Sequence, residues 1–208
     1  METTIRKIKE TLKNDFSASE VNSIIRIIFG KLKNYSQVDI IMHKDDSDNG
    51  GIIMAIVTFY NCDPKDAPKT TMPAHLGANA IFTCKGKLLL EKRRDSDIWG
   101  MVGGGCKKTE TGRDAIARET YEELGIRIHK DKFEKLAVYD NPGRIAAFKD
   151  GSIWRMVIVV YGYDFPEEPQ MRISSESKDL RFFTKEELAD IEIAVTHRDI
   201  VEQLFLNR

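Results

Sequence analysis

The stretch GGGCKKTETGRDAIARETYEELG, residues 103–125, decides the reading of this chain. It opens on three glycines and ends on a segment carrying Glu119, Glu122 and Glu123. Thr111 with Asp114 three residues on is an N-terminal capping pattern, and Gly125 is a stop signal, so a helix is predicted from Gly112 to Leu124. At about 100° per residue, Ile116, Ala117, Thr120, Tyr121 and Leu124 gather on the core-facing side, while the three glutamates share another arc. That arc is unfavourable by itself. Like charges three and four residues apart cost about 0.2–0.5 kcal/mol per pair, and carboxylates at a helix C-terminus oppose the dipole by roughly 0.3–1 kcal/mol apiece. The triplet alone leaves two readings open: a solvated acidic face screened by salt, and a site for a hard divalent cation.

The surrounding chain has 208 residues, 41% apolar and 31% charged, enough for a sizeable core in one large domain or two small ones. Thirty-two lysines and arginines against 33 aspartates and glutamates leave no strong nucleic-acid signal and no field toward an anionic membrane, so a small molecule is the expected partner. No apolar run reaches the roughly 18 residues of a membrane span, and METTIRKIKETLKND is charged throughout, so a cytoplasmic protein is expected. Cys62, Cys84 and Cys106 are odd in number and widely spaced, which suits reduced thiols rather than a disulfide framework or a zinc knuckle.

Outward from the central stretch, the chain divides into an N-terminal module at residues 1–70 and a larger domain at 71–208. Ile5, Ile8 and Leu12, then Val21, Ile24, Ile25 and Ile28, recur at helical spacing. VDIIMH (38–43) and GIIMAIVTFY (51–60) read as a hairpin around KDDSDNG. An EF-hand register beginning at Asp45 would need a glutamate where Ile56 stands, so the acidic turn is read as solvated. NCDPKDAPKTTMP, residues 61–73, reads as a linker. Beyond it come strands at about 75–83 and 87–91 joined through Lys85 and Gly86, then strands at KLAVYD and SIWRMVIVVYGYDF. LRFF, a short helix at TKEELAD and an amphipathic helix at HRDIVEQLFL complete the order. Mixed strands with few helices predict an α/β or α+β fold.

Gly104, Glu110 and the run Arg118-Glu119-Thr120-Tyr121-Glu122-Glu123-Leu124-Gly125-Ile126 resemble the signature of the Nudix, or MutT-like, hydrolases. Thr120 stands where that family usually carries a larger aliphatic residue, and Val102 where many members have proline. The signature covers residues 104–126, and the flanking order extends the resemblance over about 73–208. It implies an α/β/α sandwich with a mixed sheet and a loop, helix and loop that binds Mg2+ or Mn2+. Carried over, Glu119, Glu122 and Glu123 become metal ligands, Arg118 and Glu110 an ion pair shaping the motif, and Gly104 a close backbone approach to metal and phosphate. Glu122 or Glu123 would take a proton from the attacking water. Glu176, ahead of LRFF, matches a later position where the family often recruits a further ligand or base.

The reaction implied is hydrolysis of a nucleoside diphosphate linked to another moiety, such as ADP-ribose or a nucleoside diphosphate sugar. Nucleoside triphosphate pyrophosphohydrolysis is the alternative, and a Nudix fold that only binds its nucleotide is the alternative of another class. Pro142 lies sixteen residues past the signature, a spacing associated with ADP-ribose hydrolysis in the family. Arg93, Arg94, Arg144 and Arg155 are candidates to reach phosphates, and Trp99, Phe148 and Trp154 to stack on a base. His43, His75, His129 and His197 show no ligand spacing. The apolar faces of residues 1–70 suggest a lid or a homodimer contact.

Overall fold

The computed structural model describes residues 37–44, 52–94, 98–148 and 150–207, with side chains from Val57 onward. The two N-terminal helices and the KDDSDNG turn expected from the sequence lie outside the described residues. Contacts divide the chain into two compact units, Met1–Val38 and Asp39–Arg208.

Ten strands form a mixed sheet. β1 (Gln37–Lys44), β2 (Ile52–Asn61), β8 (Arg144–Phe148), β9 (Ile153–Phe165), β3 (His75–Cys84), β4 (Lys87–Arg93) and β10 (Ser177–Phe183) follow one another across it. The short strands β5 (Trp99–Gly100), β6 (Gly103–Gly105) and β7 (Glu134–Tyr139) pair with β4, β3 and β9 respectively. β3 runs parallel to β9 over their full contact, from His75 opposite Met156 to Cys84 opposite Phe165. The β3–β4 turn uses Lys85 and Gly86, both with positive φ (49° and 77°), the twist that a tight hairpin requires.

Helix α1 (Gly112–Leu124) and helix α2 (Val195–Val201), which ends in a π-helical turn at Glu202–Leu206, cover opposite faces of this sheet. The layers follow from strand alternation. Ala78, Ala80 and Phe82 of β3 pack with Ala115, Ile116 and Leu124 of α1, whereas Ile81 joins Ile200 and Val201 of α2. β4 splits likewise, Leu89 toward α1 and its neighbours Leu88 and Leu90 toward α2. A run of apolar residues buried on both faces is what a central strand between two helical layers demands. The α/β/α sandwich is therefore present as expected. Among the described residues no helix is long and apolar enough to cross a membrane.

The structure differs from the sequence expectation near residue 70. Val57–Asn61 of β2 pair antiparallel with Phe148–Arg144 of β8, which takes the second hairpin strand into the same sheet as the larger domain. The proline-rich segment after it is tied down: the amides of Thr71 and Met72 donate to the Ile153 carbonyl at 3.0 and 3.1 Å, and Thr71 Oγ accepts from the Ile153 amide at 2.9 Å. Prolines signalled a linker because composition carries no record of ladders formed more than eighty residues away.

Arg144, expected at the substrate, is instead fully buried. Its Nη1 donates to the Thr196 carbonyl and its Nη2 to Asp199 at 2.5 Å, tying β8 to α2, and its guanidinium lies 5.5 Å from the Tyr139 ring centre. A buried charge is tolerated only when paired. Replacing Arg144 by Met leaves Asp199 without its cation and is expected to lower unfolding stability by about 3 kcal/mol, read from the urea midpoint. The double variant Arg144→Met, Asp199→Leu should recover part of that loss.

Candidate functional site

Helix α1 begins and ends where its caps require. Thr111 Oγ accepts from the Asp114 amide at 3.2 Å, the Asp114 carboxylate accepts from the Thr111 amide at 3.1 Å, and Gly125 closes the helix at φ 74°. Thr120 is fully buried and satisfies its hydroxyl on the Ile116 carbonyl at 2.6 Å, so the smaller residue keeps the core stripe. Tyr121, expected on that stripe, is 38% exposed, with the Arg127 guanidinium 4.0 Å from its ring centre. It sits at the margin of the stripe, where stacking on arginine replaces burial.

The polar face of α1 docks on the glycine strand β6. Arg118 uses all five of its N–H donors: Nε and Nη2 on the two oxygens of Glu110 (2.7 and 3.0 Å), Nη2 on the Gly105 carbonyl (3.0 Å), and Nη1 on Glu119 and Glu122 (2.7 and 2.8 Å). The Glu110 carboxylate also accepts from the Lys107 amide at 3.0 Å. These bonds hold the Glu110 pKa down at about 2, with the Arg118 side chain the largest cause, and they raise that of Arg118. The pairing expected of Arg118 and Glu110 is thus formed.

The glycines give the carboxylates room. A Cβ at Gly104 would lie 2.5 Å from Glu119 Oε1, and one at Gly103, where φ is 139°, would lie 2.2 Å from the Ala78 carbonyl oxygen. The Gly103 amide donates to Glu123 at 2.9 Å. Burial, first, and the nearby charges of Glu122 and Glu176 raise the Glu119 pKa against the opposing pull of Arg118. Burial and then Glu91 raise that of Glu123 well above the usual carboxylate range. Glu122 is half exposed, its side chain at 51%.

Glu91 was not anticipated. It is buried on β4 and accepts from the Ser177 hydroxyl, which opens β10. LLLE reads as a strand running back to the surface, so its glutamate carried no signal of burial. Arg94, expected at phosphate, holds the loop ahead of β10: its amide donates to the Glu176 carbonyl at 2.9 Å, Nε to the Ser175 carbonyl at 3.1 Å and Nη2 to the Ser177 carbonyl at 3.0 Å. Trp99 packs edge-on against Phe183 with ring centres 4.7 Å apart and belongs to the core beneath α2 rather than to a base site.

A cavity of about 700 Å³ opens beside the glycine strand, lined by Gly103, Gly104, Gly105, Arg93 and Glu176, and further on by Phe148 and Trp154. Five of the expected residues thus share one space, Arg93, Gly104, Phe148, Trp154 and Glu176, whereas Arg94, Trp99 and Arg144 serve the scaffold. His197 also lines the cavity. Its Nδ1 accepts from the Met101 amide at 3.1 Å, and burial followed by Arg144 and Arg93 pushes its pKa down to about 4, which leaves the ring neutral with the proton on Nε2. Only the packing of α2 over β5 reveals it.

Among the described residues, no three His, Cys, Asp or Glu side chains converge as a preformed cation cluster. Arg118 Nη1 lies between Glu119 and Glu122 instead. The chemistry of the donor set nevertheless suits a hard divalent ion: carboxylate oxygens, those of Glu119 and Glu123 drawn into a buried setting that raises their pKa, against a glycine backbone without side chains.

The site is a loop, helix and loop whose carboxylates dock on a glycine strand that lines a large cavity, and comparison with known proteins gives its class, a hydrolase. The NUDIX domain family matches residues 73–204, more than half of the chain, and the chain belongs to the Nudix family. A MutT-like protein of Streptomyces ambofaciens is 29% identical over 131 residues, 63% of this chain and 77% of that protein. The nucleoside triphosphatase NudI of Enterobacter sp. (strain 638) is 26% identical over 96 residues, 46% of this chain and 67% of its own. Among solved structures, a MutT NUDIX hydrolase from Burkholderia pseudomallei superposes with a TM-score of 0.51 at 26% identity, covering 64% of this chain and 98% of that one.

Gly104→Ala is expected to displace the Glu119 carboxylate and to weaken binding of an added divalent cation about tenfold or more, measured by calorimetry. The Glu110 pairing gives an acid-side signature. A carboxylate held at about 2 contributes stability that is complete above its ordinary value of 4.5 and is lost as pH falls toward 2. Glu110→Gln should therefore flatten the decline of the unfolding midpoint over that window, leaving the part that Asp114, also held at about 2, contributes.

Proposed function

We propose that this hydrolase cleaves the phosphoanhydride of a nucleoside diphosphate linked to another moiety, releasing a nucleoside monophosphate and a phosphorylated product. The observation that carries the reading is a cavity that joins the glycine strand, Arg93 and Glu176 to an apolar wall, giving an anion-handling end and an apolar end in one space. Glu119, Glu122 and Glu123 would hold Mg2+ or Mn2+, with Gly104 and Glu176 beside them. Such an ion, when bound, would supply charge neutralisation of phosphate oxygens and a more acidic water.

The chain's own groups supply the rest. Arg118 and Glu110 fix the helix on the glycine strand, so that the carboxylates meet the substrate from one side. Arg93 faces the same cavity and offers a planar cation to phosphate oxygens. Glu122, the most solvated of the three, or Glu176, on the loop that Arg94 secures, takes the proton of the attacking water.

A second reading, hydrolysis of a nucleoside triphosphate to monophosphate and diphosphate, is favoured by the nucleoside triphosphatase among the relatives. The Asn141-Pro142-Gly143 turn does not choose between them. Gly143 stands where a Cβ would lie 2.0 Å from the Cys62 carbonyl oxygen, and Asn141 Oδ1 accepts from its amide at 2.9 Å, so the turn has a structural cause. For residues 1–70 we propose a lid or dimer contact, supported by the apolar spacing of Ile5, Ile8 and Leu12.

Products from a panel of nucleoside diphosphate sugars, ADP-ribose, CDP-alcohols, dinucleoside polyphosphates and nucleoside triphosphates distinguish the two readings. Release of monophosphate with a phosphorylated moiety supports the first, and release of diphosphate from triphosphates supports the second. Turnover should stop in EDTA and return with Mg2+, and Glu122→Gln should lower kcat by about a hundredfold or more with the fold intact by circular dichroism. Turnover unchanged in both experiments would sink the hydrolytic assignment of these carboxylates.

A further inference from the structure

The apolar end of the cavity has a definite construction. Phe59 on β2, Ala146 on β8 and Trp154 on β9 are register partners across three adjacent strands, and all three line the cavity. Register partners present their side chains to the same face of a sheet. Strands about 4.8 Å apart place the two aromatic residues about 10 Å apart at the backbone, with a single methyl group between them. Phe148, two residues beyond Ala146 on the same strand face, flanks the gap along β8.

This slot adjoins the glycine strand. The His75 ring meets Trp154 edge-on, with centres 5.9 Å apart, and a Cβ on Gly105 would lie 2.6 Å from His75 Nε2. One residue therefore separates the carboxylate site from the aromatic pair, a spacing that suits a ribose and its phosphate. At the outer end, in the β8–β9 turn, Asp150 also lines the cavity. Its Oδ1 accepts from the Ser152 amide at 2.8 Å and from the Ser152 hydroxyl at 2.6 Å, bonds that hold its carboxyl below the usual range and keep it an acceptor.

We propose that the slot between Phe59 and Trp154, floored by Ala146, holds the nucleobase of the substrate, and that Asp150 selects bases bearing an exocyclic amino group. The proposal rests on the hydrolytic reading for its substrate class, and it assigns one wall of the base slot, Phe59, to a strand outside the matched residues 73–204. Flat rings gain from stacking on aromatic faces whatever their identity. An ionised carboxylate adds selection, because it can only accept and so rewards a ring edge that donates.

The test uses the full chain with adenosine, cytidine and uridine in EDTA, probes that carry neither phosphate nor dependence on metal. Tryptophan fluorescence reports binding, since Trp99 is buried against Phe183 and Trp154 lines the cavity. Adenosine or cytidine should quench, with uridine about tenfold weaker, and Trp154→Phe should remove the signal. Phe59→Leu, which keeps an apolar side chain on the strand, should weaken binding about tenfold. Ala146→Val, which raises the floor, should do the same without removing either ring, and Asp150→Asn should bring uridine level with the others. Equal quenching by uridine in the unaltered protein, or unchanged affinity in both Phe59→Leu and Ala146→Val, overturns the assignment whether or not the enzyme hydrolyses any substrate. Selective binding without turnover on the panel leaves the slot standing and removes the hydrolytic reading instead.

Discussion

The Arg118 guanidinium is the joint on which the site depends. Five donors in one rigid plane reach a loop carboxylate, a strand carbonyl and two helix carboxylates, so loop, strand and helix are fixed by a single side chain. Lysine has three donors and no plane, and it would leave at least one of those elements unattached. Because Arg118 spends Nη1 on Glu119 and Glu122, it also relieves the repulsion between carboxylates that α1 places at i and i+3. A divalent ion at those oxygens would compete with Nη1 alone, and the bonds to Glu110 and Gly105 would keep the frame in place.

Burial sets the demand for that partner. Glu119 turns inward over Gly104, which leaves space for its carboxylate, Glu123 accepts from the Gly103 amide, and burial lifts the pKa of both. Glu91, buried behind Glu123 and bonded to Ser177, adds negative charge from the sheet side. Arg93 works against this on Glu123, and Arg94 pins the chain around Glu176 at the opposite wall. Carboxylates from helix, strand and loop therefore act on one another across one region, with Arg118 and Arg93 as the opposing cations, a charge pattern that the counter-ion of a polyphosphate would suit.

The helix was legible in the sequence to the residue, because capping box and αL glycine are local devices whose energetics depend on neighbours three or four positions away. The glutamates were legible because their spacing contradicts what an isolated helix tolerates. Arginines were not. Arg93, Arg94 and Arg144 look alike in a sequence, yet one lines the cavity, one holds a loop and one is wholly buried, since each fate is decided by strands far away in the chain. Trp99 and Trp154 divide in the same way. Trp99 lies on a two-residue strand beneath α2, while Trp154 sits on the long strand β9 opposite Ala146 and lines the cavity.

Two parts of the chain thus carry two different constraints on one cavity. The chemistry lies on α1 and β6, where glycines, Arg118 and the carboxylates interlock so closely that a single methyl group would collide. The aromatic wall lies on β2, β8 and β9, where register alone brings Phe59, Ala146 and Trp154 together. A one-residue shift of β2 against β8 would turn Phe59 to the opposite face of the sheet. The tethers that hold this register are the turn at Gly143 against Cys62 and the Thr71 bonds to Ile153, both remote from the glutamates. Changes in residues 52–72 should therefore alter which ligand the cavity accepts while the carboxylate frame stays as it is. The segment that composition marked as a linker is, by this logic, part of the recognition surface's scaffold.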